Sequence, residues 1–186
     1  NYNNMKKIIL PGIFFLVLAG IASCEKVKSK INEATEFNMD YSTSLTIPAS
    51  PGVAVKEEVE LSTPDIPTHS SLRFAAEGTK KDLIEEIKLT RLRISNTGGG
   101  KLSYIKSLSI YLRTAGVSDI LVATRENIPD TVSVVDADLK DVNIKEYLFR
   151  DNIQFRIKTT IETDTTITGD QKLSIDQTMR VKGKRI

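Results

Sequence analysis

The sequence predicts an all-β protein, an antiparallel immunoglobulin-like (Greek-key) β-sandwich of about eight strands with two short helical segments. Three observations predict it. From Phe37 onward apolar and polar residues alternate, which sends successive side chains to opposite faces of a sheet. Turn-forming residues break that alternation roughly every 8–12 residues, the spacing of sandwiches and barrels. Only two short stretches carry helical spacing.

The elements follow in order. Phe37, Met39, Tyr41, Thr43, Leu45 and Ile47 alternate with Asn38, Asp40, Ser42, Ser44 and Thr46, a long strand closed by Pro48 and a Ser50-Pro51-Gly52 turn. Val53, Val55, Val59 and Leu61 predict a second strand, with Glu58 and Glu60 on its other face. Glu57 interrupts the apolar set, which points to a sheet edge or a bulge. Residues 62–78, punctuated by Pro64, Pro67 and Gly78, read as a long connection. Thr79 and Asp82 have capping-box spacing, and Leu83, Ile84 and Ile87 share a helical face. A short helix is therefore expected over KKDLIEEI, running into a strand over 88–95.

Asn96 to Gly100, NTGGG, is a turn that glycine-rich chain makes easily. The next strand turns Leu108, Ile110 and Leu112 inward and Ser107, Ser109 and Tyr111 outward. Residues 120–124, ILVAT, form a short strand buried on both faces, and 131–137 another around Val132 and Val134. Asn143 caps a helical turn over IKEYLF. Ile153, Phe155, Ile157 and Ile161 mark one final strand, and Leu173, Ile175, Met179 and Val181 the other. The Thr-rich 163–168 and Gly169-Asp170 are expected to join these two as a long hairpin. A closed barrel is the alternative architecture.

The chain has 186 residues, 40% of them hydrophobic and 27% charged, which suits one globular domain. The roughly 150 residues of the strand-rich part bury enough apolar surface to be stable without disulfide or metal. One Cys and one His exclude an internal disulfide framework and the usual four-ligand zinc site.

The N-terminus reads as an address. Met5 is followed by Lys6 and Lys7, then by an apolar run from Ile8 to Ala22 interrupted by Pro11 and Gly12. That run is shorter than the roughly 20 residues a membrane span needs and has the layout of a secretory signal peptide. Ile21-Ala22-Ser23-Cys24, a branched apolar residue and two small ones before a cysteine, resembles the lipobox of bacterial lipoprotein precursors. The resemblance implies that the Cys24 thiol receives a diacylglyceryl group, that the peptide is cut before it, and that the new amine is acylated. Small side chains let the segment enter a peptidase, and a thiolate is the nucleophile that takes a thioether lipid. Glu25 stands where Asp retains such proteins at the inner membrane, so the resemblance implies the outer membrane of the cell envelope. The expected organisation is a signal peptide over 1–23, with residues 1–4 preceding the expected start at Met5. Cys24 and a polar tether follow over 24–36, then the sandwich over 37–186. Extended, residues 25–36 reach at most about 40 Å.

Removing 1–23 takes away Lys6 and Lys7 and no acid, which leaves 24 bases against 24 acids. A neutral mature chain argues against nucleic-acid binding. It also argues against anionic lipid as the main anchor. Acyl chains suffice, at about 0.8 kcal/mol for each buried CH₂.

No constellation of side chains rises above a plainer explanation. Asp136, Asp138 and Asp141, and separately Asp164 and Asp170, could attract calcium. DADLKD lacks the glycine turn and bidentate glutamate of a calcium loop, so acidic turns explain them better. Glu57, Glu58 and Glu60 suit a solvated edge strand. His69 beside Ser70 and Ser71 lacks a nucleophile elbow, and neighbours on an extended segment point apart. Tyr104, Tyr111 and Tyr147 are too few for a sugar-stacking platform, and Trp is absent. NTGGG lacks the Lys-Ser/Thr of a phosphate loop. The basic end VKGKRI reads as solvated charge.

The phrase LRISNTGGGKLSYIKSLSIYL is similar to uncharacterised single-domain β-sandwich lipoproteins of Gram-negative bacteria. It is loosely similar to the immunoglobulin-like sandwich of late-embryogenesis-abundant type-2 domains. Neither resemblance supplies a catalytic motif. The expected function is that of a lipid-anchored envelope protein with a non-catalytic binding or assembly domain, without cofactor or metal. Its expected partners are the membrane, through the lipid on Cys24, and an envelope protein or glycan. The alternative is a structural subunit of a surface assembly, pilin- or adhesin-like. Recognition is expected on the connections 63–78, 96–100 and 163–170, or along the edge strand 53–61.

Overall fold

The computed structural model describes residues 34–49, 55–163, 167 and 169–186. Among the described residues there are ten strands: β1 (Ala34–Ile47), β2 (Val55–Ser62), β3 (Ile66–Pro67), β4 (Ile84–Asn96), β5 (Ile105–Thr114), β6 (Val117–Arg125), β7 (Val134–Asp136), β8 (Asp138–Leu139), β9 (Asn152–Thr163) and β10 (Gln171–Lys184). Two helices, α1 (Ser70–Ala76) and α2 (Lys145–Leu148), and one 3₁₀ turn (Lys81–Leu83) lie between them.

The strand pairings are nested. β1 pairs with β10, β2 with β9, β4 with β7, and β5 with β6, all antiparallel. First meets last, second meets second-to-last, and so inward to the β5–β6 hairpin. Rolling up this ribbon adds the pairings β10–β4 and β9–β5 and yields two sheets, ordered β1-β10-β4-β7 and β2-β9-β5-β6-β8. β3 and β8 are two-residue stubs on β9 and β6, which leaves eight principal strands. The fold is thus the expected antiparallel Greek-key sandwich, in jelly-roll strand order. The immunoglobulin-like likeness holds at the level of two packed antiparallel sheets.

The alternation that predicted the strands is what buries the core. On β10, Leu173, Ile175, Gln177, Met179, Val181 and Gly183 are buried in strict alternation. Met39, Ile87, Ile110, Leu112, Phe155 and Ile175 are fully enclosed between the sheets. β1 begins at Ala34, three residues ahead of the expected Phe37. β2 lies at a sheet edge, one of the two positions Glu57 pointed to, and its pairing with β9 runs without a register shift.

Three expectations need correction. The helix over KKDLIEEI is only the 3₁₀ turn at Lys81–Leu83, and Ile84 already starts β4. The spacing of three from Ile84 to Ile87 has another origin. The register with β10 shifts between Lys182 and Gly183, so Glu85 is an extra residue on β4. A β-bulge and a helical turn both place apolar residues three apart. The second correction is α1, a helix inside the stretch 62–78 that reads as irregular. Third, β9 and β10 form no hairpin, because β9 pairs within one sheet and β10 within the other.

These connections define two poles. The turns after β4 and β6 and the end of β9 gather at one, which we call the glycine-turn pole. The start of β1, the end of β10, α1 and α2 gather at the other, the helical pole. The Ser50-Pro51-Gly52 turn and Cys24 lie outside the described residues.

Candidate functional site

The helical pole is built by the connection between β2 and β4 folding onto the turn before β9. The Thr68 N–H donates to the Asp151 carbonyl at 2.8 Å, and its hydroxyl donates to the Arg150 carbonyl at 2.6 Å. The Tyr41 hydroxyl donates to the Thr68 carbonyl at 2.7 Å. Burial pushes the Tyr41 phenol up to about 12, against the nearby Arg73 charge, which lowers it. Below these bonds Phe74 of α1 packs edge-on to both Phe37 and Phe149, each at 6.3 Å. His69 starts α1 with φ 46°, a left-handed conformation that His adopts more readily than most residues.

Two open clefts flank Arg150-Asp151-Asn152. One, of about 580 Å³, is lined by Asp65, Arg113, Thr114, Arg150, Asp151 and Gln154. The other, of about 350 Å³, has His69, Ser71, Leu72 and Phe149 on its walls. The larger cleft offers guanidinium, carboxylate, amide and hydroxyl groups together. Such a surface suits a polar ligand that both donates and accepts hydrogen bonds. These residues come from three separated segments, and no local motif announces them.

His69 and Ser71 are exposed while Ser70 is buried, but the segment is the start of a helix, α1, and not the extended stretch expected. The Ser70 hydroxyl lies 3.5 Å from that of Thr68.

The remaining candidates separate. Asp136, Asp138 and Asp141 each face a different cation. Asp136 takes a two-point bond from Arg93 at 2.8 and 2.9 Å, Asp138 meets Arg125 at 3.3 Å, and Asp141 meets Lys88 at 2.7 Å. Hydrogen bonds from Arg93 and from Lys88 hold the Asp136 and Asp141 carboxyls below the usual range. Asp170 accepts the Ala49 N–H at 3.1 Å, and Asp164 lies outside the described residues. Glu60 pairs with Arg156 at 3.2 Å, Glu58 is exposed, and the Glu57 side chain is outside the description. Among the described residues no three His, Cys, Asp or Glu side chains gather as a metal site.

Tyr104 and Tyr147 are buried, and Tyr111 lies under the Arg156 guanidinium at 4.8 Å. The three tyrosines form no shared face. Arg156 also meets Asp119 at 2.9 Å, and Asp119 meets Arg113 at 3.2 Å, a charge network across the outer face of the larger sheet.

The glycines of NTGGG serve the fold. The Asn96 side chain accepts the Gly98 N–H at 2.9 Å and donates to Gln171 at 3.2 Å. A Cβ at Gly98 or Gly100 would come within 3.3 or 3.1 Å of it. The three connections expected to carry recognition do not converge. Residues 63–78 lie at the helical pole, 96–100 and the described part of 163–170 at the other.

No protein-family model matches the chain, and no curated protein matches it. Solved structures with a related form include a mud crab tombus-like virus structure, 12% identical over 83% of each chain with a TM-score of 0.38. Another is that of desmodium yellow mottle tymovirus, 11% identical over 83% of this chain and 91% of that one, with a TM-score of 0.28. Likenesses at these scores carry nothing about function.

Proposed function

We propose that the protein is a lipid-anchored component of the cell envelope whose sandwich binds a partner without catalysis. The observation that carries this reading is Cys24, the chain's only cysteine. It directly follows Ile21-Ala22-Ser23 and stands ten residues ahead of β1. The lipobox resemblance supports lipidation there, and Glu25 supports the outer membrane. The mixed-charge cleft between Asp65, Arg113 and Arg150 supports binding of a polar group on an envelope protein or glycan. Intact-mass analysis of protein expressed in a lipoprotein-processing host tests the anchor. Cleavage before Cys24 with added acyl mass is expected, and a Cys24→Ala chain that is still cut there and still membrane-held would refute it.

A second reading, a structural subunit of a surface assembly, is favoured by β2. Among the described residues β2 pairs with β9 alone, so its second edge can accept a strand. Gel filtration of residues 25–186 separates the two. A binding module runs as a monomer, whereas a subunit that exchanges strands forms oligomers.

A further inference from the structure

We propose that the α1 flank of the helical pole rests on the bilayer surface and fixes the orientation of the anchored domain. This rests on the lipid anchor at Cys24. Nine residues lie between Cys24 and Ala34, a reach over ten Cα steps of at most about 35 Å. β1 runs away from that point for 14 residues. At about 3.3 Å each, it is roughly 45 Å long. The tether is therefore shorter than the domain, and the glycine-turn pole at the far end of β1 cannot come down to the membrane. The helical pole or its flanks must be the near side.

One flank of that pole is built for contact. α1 buries Ser70 and Phe74 against the sandwich. Leu72, Ala75 and Ala76, spaced i, i+3 and i+4, share the opposite side and all face solvent. Leu72 is 73% exposed, the highest value among large hydrophobic residues described, and Ile186 follows at 65%. Ile186 belongs to the same flank, since its N–H donates to the carbonyl of Gly78 just after α1. Exposed cations rim this apolar face: Arg73 on α1 itself, and Lys80 and Lys81 beyond it. Glu77 and Asp82 are the acids among them. An apolar helical face rimmed by cations matches a bilayer interface, with Leu72 among the upper acyl carbons and the cations among phosphates. Such a face is too small to hold the protein on a membrane alone. It has no need to, because the acyl chains keep it at high local concentration and only orientation remains to be chosen.

The chain contains no Trp, so single tryptophans report position directly. Leu72→Trp, Ile186→Trp and, at the far pole, Thr131→Trp are placed in the lipidated full-length protein on vesicles with brominated acyl chains. The first two emissions should shift to the blue and lose most of their intensity, and the third should match its value in solution. Two exposed probe positions guard against one variant folding poorly. Protein that floats with the vesicles while Leu72→Trp and Ile186→Trp stay unquenched, or while all three quench equally, overturns the docking and leaves the anchor standing. Lipidated protein that does not float overturns the anchor and the docking with it.

Discussion

Phe74 of α1 meets Phe149, just after α2, edge-on, with ring centroids 6.3 Å apart and planes at 83°. Phe37 of β1 meets the same ring from another side at 69°. One side chain thus joins a sheet edge to the two connections that form the clefts. Both clefts inherit their shape from this contact, because Arg150 and Asp151 directly follow Phe149 and His69 and Ser70 precede Phe74 by one helical turn.

Replacing Phe74 by Ala should therefore destabilise the whole domain and open its helical pole. Phe74 is 1% exposed. Phe-to-Ala changes in cores cost about 3–5 kcal/mol. For a domain of this size each kcal/mol lowers the melting temperature by roughly 2–4 °C. Urea unfolding of residues 25–186 measures the loss. A cost below about 1 kcal/mol would place α1 outside the cooperative core.

Gly183 is the tightest backbone approach in the same region. A Cβ there would lie 2.6 Å from the Leu83 carbonyl oxygen and 3.1 Å from the Ile84 Cα, both backbone atoms that cannot step aside. Gly183→Ala should cost about 1–3 kcal/mol, the usual range for overpacking. Thermal unfolding checks it, with Ala76→Gly on the exposed side of α1 as a milder comparison of about 1 kcal/mol.

The sandwich was legible in the sequence because one face of each long strand is buried, and burial writes itself as alternation. Leu173 to Val181 shows this, with Gln177 the one polar residue in the buried set. Partner choice was not legible. β9 and β10 are adjacent in sequence and equally amphipathic, and nothing local says that each pairs in a different sheet. The bulge at Glu85 mimicked a helix for the reason already given, a shared spacing of three. α1 was not legible because SSLRFAA buries Ser70 and Phe74 and exposes Leu72, so its apolar residues lie on both sides. The cleft was not legible for another reason. Asp65, Arg113, Arg150 and Gln154 meet only after the ribbon has rolled up, and sequence proximity carries no trace of that.

Tyr41 gives the fold an alkaline limit. Its phenol ionises near 12 in the folded protein, against an ordinary 10.0, because burial disfavours the phenolate. The unfolded phenol loses its proton first, so stability from this group is full below about pH 10 and declines as pH rises towards 12. Burial likewise raises Tyr104 and Tyr147, so the whole alkaline loss has several sources. Tyr41→Phe should lose the bond to Thr68, worth about 1 kcal/mol at neutral pH. The variant should also lose less stability than the parent between pH 9 and 11. Parallel slopes of unfolding free energy against pH for the two proteins would contradict this.

Gln177 sits in the core where the pattern calls for an apolar residue. It is 2% exposed and lies between Tyr41 on β1 and Leu92 on β4 in the sheet register. Neither its amide oxygen nor its amide nitrogen meets a hydrogen-bond partner among the described residues. A buried polar group without a partner costs about 1–3 kcal/mol. Met has nearly the same length and flexibility and carries no such cost. Gln177→Met should therefore stabilise the domain, raising its melting temperature by several degrees at roughly 2–4 °C for each kcal/mol. Gln177→Ala removes the amide as well but leaves a cavity, so it should come out less stable than Gln177→Met. Calorimetry of the three proteins orders them. If Gln177→Met melts below the parent, the amide is satisfied inside the core and contributes to the fold rather than burdening it.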